Sequence, residues 1–447
     1  MIWFAVLLCQ VGSFFVRPNH GDSFRCPHID IWEDLLSRID FGYNLMKRER
    51  FNEARVSLAE VSRVVSSNLT ESFECSIGVS ALFRALAYAY AGDKSFEQIG
   101  PVEHRRANQI GLRMMHVSMN WLTHAFVKKG LNDGRWVDES AWPISISEIN
   151  QEETYILNTI GRTGPQGHRP VWDDCPTGFR DKSLKIAIVS LCDYPPENPL
   201  PRLSQSNRQL YSNRHGYRII ERNQRFDSSR PHAWAKISLL SEYILSPDID
   251  WLLWFDCDTY FMNFNVTLDH FLYRYGAAPE GGLEPDFRML IQEDHSMINT
   301  GVFFIKTGEW SKGLLERVYG DNSSPWIDHP WWENAAFSHE FLGDLPVRIE
   351  SHGYANFSEA DDMLNIYPRG VKVAPQSLFN SYHPITSRLV MHDNWEPGKF
   401  VLAFSGCKSG SSPAVVNILY ANYYRVMCQL NNVNNDCINV NDLRLEY

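Results

Sequence analysis

The spacing of apolar residues changes along the chain, from a helical pattern near the N-terminus to alternating strands and helices from about residue 183. In the first part, apolar residues recur three and four positions apart, which is the spacing of one helix face. The clearest run is Phe51, Ala54, Leu58, Val61 and Val65. Residues 81–91 are apolar nearly all round, as in a buried helix, and residues 110–126 repeat the amphipathic spacing. We therefore predict a helical domain over residues 24–130, with helix hairpins that resemble tetratricopeptide-like pairs.

From residue 183 onward, short apolar stretches alternate with amphipathic ones. The expected order is a strand from Lys185, a proline-rich loop at 195–201, a helix at 207–215, a strand at 217–221, a helix at 236–245 and a strand at 251–255. Such alternation predicts a mostly parallel sheet covered by helices, in which ligands bind at the carboxyl ends of the strands. We expect this domain to span residues 183–430, after a Gly- and Pro-rich linker at 131–182 and before a tail at 431–447.

Two carboxylates close the third predicted strand. Asp256 and Asp258 follow the fully apolar residues 251–255. In extended backbone, side chains two positions apart point the same way, so we expect the two carboxylates side by side. Two carboxylates this close are both ionised at low cost in free energy only when a cation lies between them. Divalent ions that bridge phosphates are held by one or two carboxylates. The pattern predicts a metal–diphosphate site, with a solvated turn as the plainer alternative.

The composition favours a globular protein that does not bind nucleic acid. The chain has 447 residues, of which 44% are hydrophobic and 13% aromatic, enough for large cores in two or three domains. Its formal net charge of −11 argues against a nucleic-acid partner, because phosphate backbones are bound by clustered Lys and Arg.

The N-terminal residues and the glycosylation sequons indicate the secretory pathway. Residues 1–16 are apolar and uncharged, which suits a signal sequence or a short membrane anchor, with a buried first element as the alternative. Sequons begin at Asn68, Asn265, Asn322 and Asn356. In an oxidising lumen, Cys26 with Cys75 and Cys428 with Cys437 are plausible disulfides, although sequence alone does not fix the pairing.

Three later motifs carry polar groups that fit the same site. Asn299 precedes an apolar strand and offers an amide for sugar hydroxyls, with an ordinary turn as the alternative. Glu333 and Asn334 lie near a predicted helix start, where capping is the alternative role. Lys408 is placed to neutralise a diphosphate.

The order of these motifs resembles glycosyltransferase family 34, which includes fungal Golgi α-galactosyltransferases, α-mannosyltransferase subunits and plant xyloglucan xylosyltransferases. The matching stretches are 207–217 (Asn-Arg-Gln-Leu-Tyr-Ser-Asn-Arg-His-Gly-Tyr), 234–237 (Trp-Ala-Lys-Ile), 254–258 (Trp-Phe-Asp-Cys-Asp), 299–303 (Asn-Thr-Gly-Val-Phe), 332–334 (Trp-Glu-Asn), 395–401 (Trp-Glu-Pro-Gly-Lys-Phe-Val) and 404–408 (Phe-Ser-Gly-Cys-Lys). Each is weak alone, but the ordered set is specific. The helical N-terminal part lies outside the resemblance.

The resemblance implies an α/β fold of the GT-A class, with a Rossmann-like mixed sheet. The helical spacing of residues 24–130 places an all-α helical-hairpin domain before it. The resemblance also implies a manganese-dependent retaining transfer of galactose, mannose or xylose from UDP-sugar or GDP-mannose to a glycan or glycoprotein acceptor in the Golgi or ER lumen. By motif, Asp256 and Asp258 would bind the metal and donor, and Lys236 would contact the donor. Asn299 would contact the donor or acceptor sugar.

Three further roles follow from the resemblance. Glu333 matches an acidic residue for which nucleophile, base and sugar clamp are all open roles, Asn334 matches an amide near the anomeric carbon, and Lys408 would stabilise the departing diphosphate. The resemblance does not extend to the helical domain. Its helix hairpins are typical of packing or protein-interaction domains, so we expect it to serve homo- or hetero-oligomerisation.

One position departs from the family pattern. Where the family has a metal-binding histidine before Phe-x-Gly-Cys, this chain has Ala403, whose side chain cannot bind a metal. His392, Ser405 or water are the substitutes that manganese accepts. The rival hypothesis is therefore a catalytically weakened homologue that acts as a binding or scaffold subunit. A metal-dependent phosphodiesterase is a weaker alternative, because no cluster of carboxylates and histidines for a second metal is visible.

Overall fold

The computed structural model describes residues 37–67 except 40 and 47, residues 73–92, single positions between 107 and 121, and residues 170–443 with gaps at 196, 225–226, 295–297, 330, 348–366, 385–393, 406 and 408–411. The chain divides into two compact units, one of Met1–Gly164 with Gly320–Tyr367 and one of Pro165–Tyr319 with Pro368–Tyr447. This division differs from the contiguous domains expected from the sequence, because residues 320–367 group with the N-terminal ones. The leader at 1–16 lies outside the described residues.

The described elements begin with helices of the first unit and continue with the alternating strands and helices of the second unit. The chain returns to the first unit at Gly320–Tyr367 and then re-enters the second unit. In chain order they are α1 (Phe51–Ser67), α2 (Phe73–Gly92), β1 (Ile186–Leu191), α3 (Leu200–His215), β2 (Arg218–Arg222), α4 (Ala235–Tyr243), β3 (Trp251–Phe255), β4 (Thr259–Phe261), α5 (Leu268–Gly276), β5 (Met289–Glu293), β6 (Ile298–Lys306), α6 (Glu309–Tyr319), α7 (Trp332–Leu342), β7 (Val371–Pro375), α8 (Gln376–Phe379), β8 (Ser381–Tyr382), β9 (Val401–Ala403) and α9 (Pro413–Leu430). Single 3-10 turns cover His232–Trp234 and Val440–Asp442.

The first unit contains the predicted amphipathic helix. On α1, the apolar positions Phe51, Ala54, Leu58 and Val61 are all buried, which confirms the face read from the three-and-four spacing. The apolar stretch at 81–91 is the second half of α2, which begins earlier than predicted, and α2 packs against α1. The tetratricopeptide-like arrangement and the interaction role of this region stay predictions.

Residues of the segment 320–347 pack against the N-terminal helical residues within the first unit. Trp121 is fully buried, and its ring centroid lies 4.7 Å from that of Trp326 and 5.5 Å from that of His339. The His329 ring nitrogen Nε2 lies 3.1 Å from the Asn120 carbonyl oxygen. The helix α7 that carries Glu333 is therefore supported by the N-terminal part of the chain.

The second unit is built on a mixed six-stranded sheet with the order β2-β1-β3-β6-β5-β7. β1 is parallel to β2 and to β3, and β5 is parallel to β7. β6 runs antiparallel to both of its neighbours, β3 and β5. The sheet is thus less parallel than the strand–helix alternation predicts, in agreement with the mixed sheet that the resemblance implies.

The reversed direction of β6 places the start of that strand next to the end of β3. Phe255, the last residue of β3, pairs with Val302, and the Asp256 amide donates to the Gly301 carbonyl at 2.9 Å. Asn299, Thr300 and Gly301 belong to β6 itself rather than to a turn before it. Two motifs more than 40 residues apart therefore meet at one edge of the sheet.

The helix predicted at 207–215 begins seven residues earlier, inside the stretch expected to be a proline-rich loop. α3 starts at Leu200, with Pro199 at the cap and Pro201 in the first turn. Proline fits there because the first amides of a helix have no partner within the helix. α3 supports the second, smaller sheet, β4-β9-β8, by a pair of hydrogen bonds between Asn207 and the backbone of Phe261.

The structure contains one of the expected disulfides and one that the sequence did not indicate. Cys428 and Cys437 are bonded, as expected. Cys192 and Cys257 are also bonded, which joins the end of β1 to the middle residue of Asp-Cys-Asp. The pair of Cys26 with Cys75 lies outside the described side chains.

Candidate functional site

Asp256 is held in a fixed orientation at the carboxyl end of β3. The Trp254 indole Nε1 donates to its Oδ1 at 2.6 Å, and the Lys236 Nζ lies 3.3 Å from the same oxygen. Since residues 254 and 256 are two apart at a strand end, their side chains share one face of the sheet. The carboxylate thus has one oxygen engaged by protein donors.

Asp258 is positioned differently from the sequence expectation. It lies in the turn between β3 and β4 rather than in extended backbone, so the strand argument for two side-by-side carboxylates does not apply to it. Its carbonyl accepts from the Phe404 amide at 2.8 Å, which ties the turn to the residue after β9. The charges of both aspartates nevertheless act on one group, the Tyr194 hydroxyl.

Tyr194 is a site residue that the motif analysis missed. It lies three residues beyond the end of β1 and is half-buried. Burial raises the pKa of the Tyr194 hydroxyl above its ordinary range, and the negative charges of Asp258 and, more weakly, Asp256 raise it further. The hydroxyl is therefore a neutral hydrogen-bonding group beside two carboxylates. The rule that ligands bind beyond the carboxyl ends of parallel strands could have indicated it.

Lys236 lies at the start of α4, with its ammonium against β6. It donates to the Thr300 carbonyl at 2.8 Å and lies 3.2 Å from the Thr300 hydroxyl. The ammonium is also 5.3 Å from the Trp254 ring centroid. The structure therefore brings Lys236, Asp256 and the start of β6 together, while the predicted contact of Lys236 with a donor stays a prediction.

The Asn299 amide is fully occupied by protein partners. Its Oδ1 accepts from the Gly301 amide at 2.8 Å and from the Asn380 amide nitrogen at 2.9 Å. Its Nδ2 donates to the Tyr382 hydroxyl at 2.6 Å and to an Asp294 carboxylate oxygen at 3.1 Å. An amide offers two donors and two acceptor positions. To bind a sugar hydroxyl, as the sequence predicts, Asn299 would exchange one of these bonds.

Gly301 is the point where the two motifs come closest. A β-carbon at this position would lie 3.0 Å from the Asn299 Oδ1, 3.3 Å from the Asp256 Oδ2 and 3.5 Å from the Asn380 Nδ2. A side chain here would crowd the site, so glycine suits the close approach of the backbone to it.

The remaining predicted catalytic residues lie in the other unit or outside the described residues. Glu333 and Asn334 belong to the first unit, in the first turn of α7, and Glu333 is buried. Trp332, directly before them, has a φ of 42°, a left-handed conformation that is uncommon for a bulky residue. Lys408 lies outside the described residues.

The two aspartates fit a cation that is shared with a ligand better than one held by the protein alone. Among the described residues there is no cluster of three or more His, Cys, Asp or Glu side chains that could enclose a metal. Ala403 is buried at the end of β9, paired with Thr259 across the smaller sheet. Of the suggested substitutes, Ser405 is half-buried and His392 lies outside the described residues. One or two carboxylates completed by phosphate oxygens and waters is a usual arrangement for a phosphate-bridging ion.

The sequence model of the galactosyl transferase GMA12/MNN10 family matches residues 186–276 and 282–414, about half of the chain. The chain therefore belongs to this family, which confirms the resemblance to glycosyltransferase family 34. The match includes Asp256, Asp258, Lys236 and Asn299, as well as Glu333 in the other unit.

Several curated proteins are similar to part of the chain. An uncharacterized alpha-1,2-galactosyltransferase of Schizosaccharomyces pombe is 26% identical, over 33% of this chain and 48% of its own length. A probable xyloglucan 6-xylosyltransferase of Arabidopsis thaliana is 25% identical, over 38% of each chain. The probable alpha-1,6-mannosyltransferase MNN10 of Saccharomyces cerevisiae is 25% identical, over 33% of this chain and 46% of its own. The matched region thus spans less than half of each relative.

A solved glycosyltransferase involved in the glycosylation of the major capsid of PBCV-1 aligns with 55% of this chain and 99% of its own, at 17% identity and a TM-score of 0.35. That likeness is too slight to add to the family match, and the GT-A assignment itself stays a prediction. Within the described part of the chain, no helix combines the length and the hydropathy needed to span a bilayer.

Proposed function

We propose that the protein is a metal-dependent glycosyltransferase that moves a sugar from a nucleotide-sugar donor to a glycan, with retention of the α-configuration. The observation that carries the proposal is the meeting of Asp256, Lys236 and the start of β6 at the carboxyl end of β3, within the family-matched region. The names of the relatives support galactose, mannose or xylose as the transferred sugar.

In this proposal, Asp256 and Asp258 hold a manganese ion together with the donor diphosphate. When bound, the ion neutralises negative charge that develops on the leaving diphosphate, which is worth several kcal/mol. Lys236 and Trp254 keep the Asp256 carboxylate in place, so no reorientation is needed during the reaction. The Tyr194 hydroxyl at the same edge stays neutral, because burial and the charge of Asp258 raise its pKa.

The other parts of the proposal come from the motifs. Lys408 would stabilise the departing diphosphate, and Asn334 would lie near the anomeric carbon. Glu333 would act as nucleophile, base or sugar clamp. The acceptor would be a glycan or glycoprotein in the Golgi or ER lumen. The two sequons in the described residues, Asn265 and Asn322, are exposed, as lumenal glycosylation requires.

The second candidate is a homologue with weakened turnover that acts as a binding or scaffold subunit. Ala403 favours it, because its buried methyl group stands where the family pattern has a metal-binding histidine. In that case, the nucleotide would still bind but the donor would not be consumed.

A binding screen followed by a turnover assay separates the two candidates. The shift in melting temperature is measured with UDP, GDP and their sugars, with and without Mn²⁺. Metal-dependent stabilisation supports a donor site, and its absence contradicts the enzyme hypothesis. Donor hydrolysis is then compared between the wild type and Asp258→Ala. Hydrolysis by the wild type alone supports the enzyme, whereas equal rates would argue against the proposed metal site.

A further inference from the structure

The Cys192–Cys257 disulfide joins the two strand ends that border the site. Cys192 follows β1 directly, and Cys257 is the residue between Asp256 and Asp258. The two Cα atoms are 5.1 Å apart, across 65 residues of sequence. Both cysteines are at most 5% exposed. The turn that carries Asp258 is therefore covalently attached to the neighbouring strand.

The Cys192 end of this disulfide is firmly anchored. Its amide donates to the Arg222 carbonyl at 2.8 Å, which extends the pairing of β1 with β2. The Arg208 guanidinium, fully buried on α3, lies 3.2 Å from the Cys192 sulfur and 2.5 Å from the Glu221 carboxylate. A buried charge that is paired in this way resists displacement.

The Cys257 end lies in the turn between β3 and β4. Its carbonyl accepts from the Ser204 hydroxyl at 2.5 Å, and the Asp258 carbonyl accepts from the Phe404 amide at 2.8 Å. Asp256 before it is fixed by β6 and Lys236, and β4 begins only after Asp258. The disulfide is the covalent attachment of this turn and acts together with these two hydrogen bonds.

We propose that the Cys192–Cys257 disulfide is a positioning element of the donor site, which sets where Asp258 stands relative to Asp256. The inference rests on the proposed function, since it assumes that the two aspartates bind a metal–nucleotide complex. Small displacements of the groups that hold a reacting ligand reduce binding and rate by large factors. A disulfide within the metal-binding triplet therefore acts on ligand affinity as well as on stability.

The chain offers a matched control, because Cys428–Cys437 closes a separate loop at the end of α9. The double variants C192S/C257S and C428S/C437S are compared with the wild type. Two quantities are measured: the dissociation constants of UDP and GDP in the presence of Mn²⁺, by titration calorimetry, and the melting temperature without ligand. A purely structural disulfide moves the melting temperature and leaves the affinity of the folded protein unchanged.

We expect C192S/C257S to raise the dissociation constant of the nucleotide that the wild type binds by about tenfold or more, and C428S/C437S to change it less than about twofold. Unchanged nucleotide affinity in C192S/C257S, or an equal loss of affinity in both variants, would overturn this inference but not the proposed function. If the wild type itself binds neither nucleotide, the proposed function is overturned and this inference with it.

C192A/C257A decides the question if C192S/C257S does not fold. Both positions are buried, so alanine avoids the two unpaired hydroxyl groups that serine would place there. We expect its nucleotide dissociation constant to rise about tenfold, with a folded protein confirmed by circular dichroism. An unchanged constant in folded C192A/C257A would contradict the positioning role.

Discussion

The Lys236 ammonium lies 3.3 Å from Oδ1 of Asp256, so the protein already neutralises one of the two candidate metal-binding carboxylates. The ammonium is buried and also bonds to Thr300, which fixes it in place. The like-charge repulsion between Asp256 and Asp258 is reduced accordingly. An ion would therefore be attracted chiefly to Asp258 and would depend on the phosphates of a ligand for the rest of its charge.

This relationship makes a prediction for Lys236→Met. Without the ammonium, the site carries two uncompensated carboxylates, so Mn²⁺ alone should bind about three- to tenfold more tightly. The nucleotide should bind more weakly if Lys236 contacts the donor. Electron paramagnetic resonance of free Mn²⁺ measures the affinity for the ion alone. Lys312→Met, on the exposed face of α6, should change neither affinity. Weaker binding of Mn²⁺ alone to Lys236→Met would show that the lysine mainly orients Asp256.

Asn299→Ala tests whether Asn299 has a structural role in addition to any contact with sugar. The substitution removes the partner of the Gly301 amide and one bond each of the Asn380 amide and the Tyr382 hydroxyl, which keeps its bond to Asp294. Each lost bond to a buried group costs about 1–3 kcal/mol, so the free energy of unfolding should fall by at least about 2 kcal/mol.

The matched control is Asn213→Ala, because Asn213 bonds to Gln209 on the exposed surface of α3. Its effect should stay within about 0.5 kcal/mol. Urea unfolding measures the free energy of unfolding of both variants. An Asn299→Ala protein as stable as the wild type would indicate a residue kept for ligand contact alone.

Gly301→Ala should damage the site through a single methyl group. The new β-carbon would crowd Asn299 Oδ1 and Asp256 Oδ2 at 3.0 and 3.3 Å. We expect a loss of stability of about 1–3 kcal/mol and weaker binding of nucleotide with Mn²⁺. Gly313→Ala is the control, since Gly313 lies within α6 and alanine favours helices by about 0.5–1 kcal/mol. The two variants should thus shift the melting temperature in opposite directions. Equal shifts would argue against a close approach at Gly301.

Local pattern was sufficient to predict the strands that carry the site. β3 has the predicted bounds, and β1 and β2 differ by one residue from prediction. Short runs of branched and aromatic residues favour a buried strand over other elements. The direction of β6 was not predictable in the same way. Its apolar run fits either direction, and only the pairing with β3 and β5 decides that Asn299 lies beside Asp256.

Features that depend on long-range contacts were missed or remain predictions. Cysteine counting does not fix pairing, so Cys192 with Cys257 was not anticipated. Tyr194 carries no motif and is identified by its place beyond β1. The grouping of Glu333 with the N-terminal helical residues depends on burial of Trp121, a contact between residues about 200 positions apart.

His383 should make the stability of the second unit depend on pH. Its amide donates to the Ala403 carbonyl at 2.9 Å, and its ring packs against the rings of Phe404 and Tyr423. Burial lowers the pKa of His383 to about 4, whereas an unfolded histidine titrates near about 6.5. The unfolded chain therefore binds the extra proton first as the pH falls.

The contribution of neutral His383 to the free energy of unfolding is fully present above about pH 6.5 and is lost as the pH falls toward 4. We expect the wild type to lose on the order of 2 kcal/mol more unfolding free energy over this range than His383→Phe, which keeps an aromatic ring but cannot be protonated. Urea unfolding at pH 7.5, 5.5 and 4.5 measures the difference between the two proteins, so that titrations common to both cancel. Parallel pH profiles would show that His383 is protonated as easily in the folded protein as in the unfolded chain.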